Sequence, residues 1–263
     1  QEDGLILKTP GKKMVAHPNA ATDNFEELKT PDLILICVKG YDLDEAVEKI
    51  SKNMNKNTII LPLLNGVDIY HRIREKISKG VILPGCVYVG THIEKPGVVT
   101  QSGGDGKIIF GNDPQYSDFN SDPLIELFKK LQVNYEWQND SLPSIWEKYI
   151  FIASFGMVSA AYNKTLGEIM ENHELKDSVK FIMEEIVALA ELEGVKLDKT
   201  IIEESLEKGD SFPYETTTSY HKDVKMSGND EGDLFGGTII RLGKEKGLKT
   251  PITEKMYSKI QNK

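Results

Sequence analysis

The sequence predicts an α/β protein, with a Rossmann-like, mostly parallel sheet domain followed by an all-helical C-terminal domain. Three observations predict it. Apolar runs that do not alternate, such as Leu33-Ile34-Leu35-Ile36-Cys37-Val38, recur through the first half. A strand covered on both faces reads this way, as in a parallel sheet between helical layers. Helical patterns separate these runs, and strands that alternate with helices imply parallel pairing through crossovers. After Asn139-Asp140 the strand signals stop and only helical periodicity remains. These features divide the chain into domains 1–140 and 141–263.

The elements follow in order. Asp32 leads into the first strand, at 33–38. Lys39-Gly40-Tyr41 turns the chain, and Asp42 with Glu45 three residues on has the pattern of a capping box. Leu43, Ala46, Val47 and Ile50 then recur at helical spacing. Residues 58–64 form a second strand closed by Asn65-Gly66, and the next helix carries Ile69, Ile73 and Ile77 on one face. Residues 81–89 read as a third strand. Residues 98–101 and 107–110 flank Gly103-Gly104-Asp105-Gly106 and predict a hairpin with that turn. Pro123 opens a helix with Leu124, Leu127, Phe128 and Leu131, and residues 133–137 form a short strand. In the second half, helices are predicted at 146–162, 175–192, 201–206 and 234–246, the last stopped by Gly247 with Pro251 beyond it. A final helix runs over 251–260.

Composition limits the function classes. The 263 residues suit one large or two ordinary domains of ~100–150 residues each. The net charge of −9 argues against nucleic-acid and anionic-membrane partners, which require a basic face. Cys37 and Cys86 lie in apolar runs and read as buried structural thiols, too few for a disulfide framework or a metal cluster. The five histidines form no ligand-spaced pair, so no metal site is expected. No apolar run approaches the ~20 residues that span a bilayer. The first residues, Gln1-Glu2-Asp3-Gly4, are polar, carry no signal peptide and read as the tail of a preceding segment, so a cytoplasmic location is expected.

Candidate chemistry lies in short stretches, each with an ordinary explanation beside the functional one. Lys39 follows the first apolar strand, where ligands of open α/β sheets bind and a lysine reaches an anionic cofactor; a solvated turn lysine also fits. Asn65-Gly66 follows the second strand and favours a tight turn, or sets an amide beside a ligand. Lys148, in Trp146-Glu147-Lys148, opens an otherwise apolar helix, where a lysine is costly unless it snorkels, pairs or acts. Thr217-Thr218-Ser219-Tyr220 with Asp223, and Glu231-Gly232-Asp233, read equally well as helix capping or as polar groups of a site.

Taken together, their order and spacing resemble the ketopantoate reductase (2-dehydropantoate 2-reductase) family, from about residue 30 to Lys263. The resemblance rests on the strand ending in Val38-Lys39, the Leu64-Asn65-Gly66 turn, Pro96-Gly97-Val98-Val99 and the Trp146-Glu147-Lys148 helix start. It continues in Ser219 with Asp223, Glu231 with Asp233 and Gly237, and Gly247 with Pro251. It implies NADPH-dependent reduction of ketopantoate to pantoate by hydride transfer, a step of pantothenate biosynthesis, in a cytoplasmic oxidoreductase that is a homodimer through its helical domain. By position, Lys148 matches the catalytic proton donor and Glu231 an acidic partner that positions the lysine or the substrate. Ser219 matches a substrate-carboxylate ligand, Asn65 an asparagine beside substrate and cofactor, and Lys39 a cofactor-side lysine. The implied partners are NADP and a small 2-oxo acid, and the implied domains are a partial dinucleotide-binding domain and a helical substrate and dimerisation domain.

Two departures qualify the resemblance. The family begins with a strand, a Gly-x-Gly-x-x-Gly turn and a helix that seat the pyrophosphate, and no such turn follows a strand here. Gln1 is therefore expected to correspond to a position after the family's second strand, in a natural protein that is longer. The family also places asparagines four and eight residues after the catalytic lysine, where this chain has Ile152 and Gly156. That exchange points to a diverged member that acts on a different, less polar 2-oxo acid or reduces ketopantoate weakly; a non-catalytic nucleotide-binding protein on this fold is a third reading.

Overall fold

The computed structural model describes residues 4–116, 118–226 and 228–263; the polar stretch Gln1–Asp3 lies outside them. The chain divides into two compact units: residues 1–37, 45–63 and 73–141 in one, and 38–44, 64–72 and 142–263 in the other. The first holds every described strand, and helices fill the second, as a Rossmann-like domain followed by a helical region requires.

The first unit carries two sheets. Strands β3 (Leu33–Ile36), β4 (Ile59–Pro62) and β5 (Val81–Ile82) pair in parallel, joined by helices α1 (Leu43–Lys52) and α2 (Ile69–Lys76). The other sheet is mixed. Strand β1 (Leu5–Thr9) runs antiparallel to β2 (Lys12–Ala16) and parallel to β7 (Val98–Gly111), and β7 pairs antiparallel with β6 (Gly85–Lys95) and parallel with β8 (Tyr135–Gln138). Leu61, Leu83 and Phe110 pack with Leu124 and Phe128 of α3 (Asp122–Lys130) in one core. At its edge, Asp113 is fully buried and binds the Arg74 guanidinium and the Ile82 N–H.

Three expectations need correction. The apolar run 81–89 is two strands, broken at Leu83-Pro84 because proline brings no N–H to a ladder. The Pro84 carbonyl accepts instead from the Gly111 N–H and the Ser141 hydroxyl. The Gly-rich stretch is not a turn: β7 runs through it, and the reversal falls at Pro96-Gly97, where Gly97 has φ 78°. Register shifts around Gly90 mark a bulge, and a Cβ on Gly104 (φ 69°) would lie 2.6 Å from the Tyr88 carbonyl, so the glycines absorb an irregularity within paired strands. Cys37 is exposed, and only Cys86 is buried. Leu35 and Cys37 share one open face beyond edge strand β3, while Ile36 between them is buried. The β1–β2 hairpin and helices α5 (Leu166–Glu171) and α8 (Ser219–Lys225) were not anticipated.

The second unit is built on α4 (Leu142–Tyr162). It is apolar nearly all round because α6 (His173–Leu192), α7 (Ile201–Ser211), α8 and α10 (Pro251–Gln261) surround it. α6 turns Val179, Ile182, Met183, Ile186 and Leu189 inward. A five-residue π-helical segment, Asp233–Gly237, leads into α9 (Thr238–Lys246), which stops at Gly247 in a left-handed conformation (φ 72°). No helix among the described residues is long and apolar enough to cross a membrane.

Candidate active site

Every candidate side chain falls in the second unit, because stretches 38–44 and 64–72 group with the helices. Glu231 is a buried carboxylate, which is costly without compensation. The Lys39 ammonium lies 2.9 Å from its Oε2, and the Gly40 N–H donates to Oε1 at 3.2 Å. Lys39 also sits 2.6 Å from Asp223 Oδ2. Burial alone would lower the Lys39 pKa, but the bonds and charges of Asp223 and Glu231 outweigh it and raise the pKa, so the side chain is a cation. Gly40 is essential to this approach: a Cβ there would stand 2.3 Å from Leu234 Cδ1.

Lys148 sits on the second turn of α4, half-buried, and donates to Asn65 Oδ1 at 2.8 Å. Asn65 is held in a turn whose Gly66 has φ 127°. Ser219 opens α8, exposed, one turn before Asp223. The cap is the preceding Thr218, whose hydroxyl accepts the His221 N–H at 3.1 Å. Of the residues singled out in the sequence, the fold thus joins Lys39 with Asp223 and Glu231, and Lys148 with Asn65.

Sequence reasoning missed the group that secures these elements. Arg72 and Arg241 bracket Asp68 and Asp233: Arg72 Nε lies 2.8 Å from Asp68 Oδ2 and its Nη1 2.6 Å from Asp233 Oδ2. Arg241 reaches Asp68 Oδ2 at 2.7 Å and Asp233 Oδ1 at 3.3 Å. Thr238 donates to Asp68 Oδ2 at 3.1 Å. The cluster ties the Asn65 turn to the π-helical segment just beyond Glu231. Only the Asp68–Arg72 spacing of four residues was visible locally.

Two family models match, Ketopantoate reductase PanE/ApbA over residues 1–115 and Ketopantoate reductase PanE/ApbA C terminal over residues 140–263. The chain belongs to the ketopantoate reductase family. Among curated relatives, an "Uncharacterized oxidoreductase YkpB" of Bacillus subtilis (strain 168) is 24% identical over 88% of this chain and 76% of its own. A 2-dehydropantoate 2-reductase of Streptococcus pyogenes serotype M18 is 25% identical over 98% of this chain and 85% of its own. A solved structure of D-mandelate dehydrogenase with NADH and anilino(oxo)acetate superposes with a TM-score of 0.84 at 22% identity, over 99% of this chain and 85% of that one, and shares its fold. The family comprises oxidoreductases that use NAD(P).

Proposed function

We propose that this protein reduces a 2-oxo acid to the 2-hydroxy acid with NADPH, the family reaction being ketopantoate to pantoate. The observation that carries this reading is the half-buried Lys148 ammonium held 2.8 Å from the Asn65 amide oxygen, on a helix most of whose residues are buried.

A nicotinamide bound here would supply the hydride that reduces the carbonyl carbon. Asn65 and Lys39, on the turns that follow β4 and β3, suit the nicotinamide side of a dinucleotide; no glycine-rich strand-to-helix turn for its pyrophosphate lies among the described residues. Charge that develops on the carbonyl oxygen is met by the Lys148 ammonium, which gives up a proton, becomes the neutral amine and is recharged from solvent. Asn65 aims that ammonium. Ser219 receives the substrate carboxylate, and Glu231 fixes Lys39 and, through the Gly40 N–H, the turn after β3. A cytoplasmic homodimer through the helical domain belongs to the same reading.

Replacing Lys148 by Ala should lower kcat by ~10²–10⁴-fold while circular dichroism and melting stay unchanged. A protein that never oxidises NADPH with any 2-oxo acid, even at saturating NADPH, has no turnover to lose, and that result would favour a non-catalytic nucleotide-binding protein. A reductase of a less polar 2-oxo acid is the second enzymatic reading, favoured by Ile152 and Gly156 on the lysine's helix.

A further inference from the structure

We infer that the Tyr149 hydroxyl sets the π-helical register of Asp233–Gly237 and thereby aims the Glu231 carboxylate at Lys39 and Gly40, which makes Tyr149 a positioning residue of the candidate site. Its kinetic consequence rests on the 2-oxo acid reading above; its structural consequence does not.

Tyr149 follows Lys148 on α4 and is 1% exposed. Its hydroxyl donates to the Leu234 carbonyl at 2.7 Å and to the Phe235 carbonyl at 2.8 Å. Both carbonyls belong to the π-helical segment. There the Gly237 N–H reaches back five residues to the Gly232 carbonyl at 3.0 Å, and the Thr238 N–H reaches back five to that of Asp233. In an α-helix the Thr238 N–H would serve the Leu234 carbonyl, four residues back. The π register diverts that donor, and Tyr149 brings another to the same oxygen from a neighbouring helix. A buried carbonyl without a donor is costly, so the hydroxyl favours the π register over the α. The Tyr149 ring stacks on Phe235, with 6.3 Å between centroids and 18° between planes. Tyr257 of α10 packs on the same segment, where a Cβ on Gly236 would lie 2.6 Å from its Cδ2.

The register matters because each residue of a helix is turned by roughly 100° from the last. A change from π to α would rotate Glu231, Gly232 and Asp233 by about that amount against α9. In the observed register each successive residue meets a partner. Asp233 meets Arg72 and Arg241, Leu234 covers Gly40 and Gly66, and Phe235 lies on Tyr149 and Tyr220. Glu231, just before them, accepts from Lys39 at 2.9 Å and from the Gly40 N–H at 3.2 Å. An α register would carry that carboxylate off both donors.

The test compares the wild-type protein with Tyr149→Phe, Glu231→Gln and the double variant. Hydrogen–deuterium exchange at the Gly40 amide, read by NMR, reports whether Glu231 still accepts from it, with no need of cofactor or turnover. Tyr149→Phe keeps the ring on Phe235 and removes only the hydroxyl. We expect it to speed Gly40 exchange by about ten-fold, as Glu231→Gln does, while the amides of Ile150 and Ala153 on α4 keep their rates. With ketopantoate as substrate, KM for NADPH should rise about ten-fold with kcat within about threefold, and the double variant should be no worse than Glu231→Gln alone. Unchanged Gly40 exchange in Tyr149→Phe would overturn the inference, as would effects of the two substitutions that multiply. Equal acceleration along α4 would overturn it too, since the hydroxyl would then serve stability alone. Tyr149→Met, which also lacks the donor, decides by the same measures if Tyr149→Phe does not fold. Absence of turnover with ketopantoate and every other 2-oxo acid would remove the functional reading and leave Gly40 exchange to decide the inference.

Discussion

Ionic and tautomeric detail decides behaviour at the scale of single residues. His221 is buried between Ser159 and Asn163, with Nδ1 2.8 Å from Ser159 Oγ and Nε2 2.8 Å from Asn163 Oδ1. Ser159 gives its one proton to the Lys164 carbonyl at 2.6 Å, so Nδ1 carries the hydrogen and donates to Oγ. Nε2 is then an acceptor in the neutral ring, satisfied when Asn163 turns its NH2 toward it, and a donor in the protonated ring, satisfied by the carbonyl. Burial first, and then the charges of Lys225, Lys263 and Lys222, push the His221 pKa below its ordinary value. The unfolded chain therefore takes up this proton at a higher pH than the folded one. The neutral histidine's contribution is fully present above about pH 6.5 and is lost as pH falls below it. Melting temperature should drop between pH 7 and pH 5.5, and His221→Gln should flatten that slope; an unchanged slope would assign the dependence to other groups.

At the scale of elements, the π-helical segment Asp233–Gly237 is where packing and polar order meet. Such segments recur at functional sites because they re-aim the helix around them. Here the segment brings Leu234 against Gly40 and places Asp233 between Arg72 and Arg241. Asp68, nearly buried, accepts from both arginines and from Thr238. Removing it with Asp68→Ala leaves two arginines facing each other, half-screened by solvent, and should cost about 2–3 kcal/mol, below the 3–5 of a fully buried pair. In a protein of this size that is a fall in melting temperature of roughly 5–10 °C. Gly40→Ala should cost about 1–3 kcal/mol through overpacking on Leu234, and activity should fall further than stability because the Gly40 N–H is a ligand of Glu231. Equal losses in the two would show that this N–H has no part in catalysis.

For the molecule as a whole, the seat of the cofactor's pyrophosphate governs cofactor affinity. Backbone amides at a strand-to-helix turn are the usual seat of a pyrophosphate. The turns after β3 and β4 do not supply that seat: the Gly40 N–H is taken by Glu231, and Gly66 packs against Ile69 and Leu234. The 263-residue chain should bind NADPH more weakly than low micromolar in calorimetry, and a low-micromolar dissociation constant would contradict this.

Much of this architecture can be read from local pattern. The amphipathic spacing of α3 and α6, the proline and glycine that bound α9 and α10, and the change of texture near residue 140 all follow from side-chain periodicity and backbone stereochemistry, which a short window contains. The motifs carrying Lys39, Asn65, Lys148, Ser219 and Glu231 were legible in the same way, as residue types at set spacing. Their pairings were not. That Glu231 meets Lys39 and Gly40, that Asp68 and Asp233 share two arginines, and that Tyr149 donates to the Leu234 and Phe235 carbonyls involve residues up to 192 positions apart. No local propensity encodes such contacts. The path of β7 through its glycines and the exposure of Cys37 were likewise decided by which strands found partners. Sequence by itself determined the elements and the candidate chemistry, because these depend on neighbours along the chain. Only the tertiary structure decided which charges meet and which positions are closed, because burial and ion pairing depend on neighbours in space.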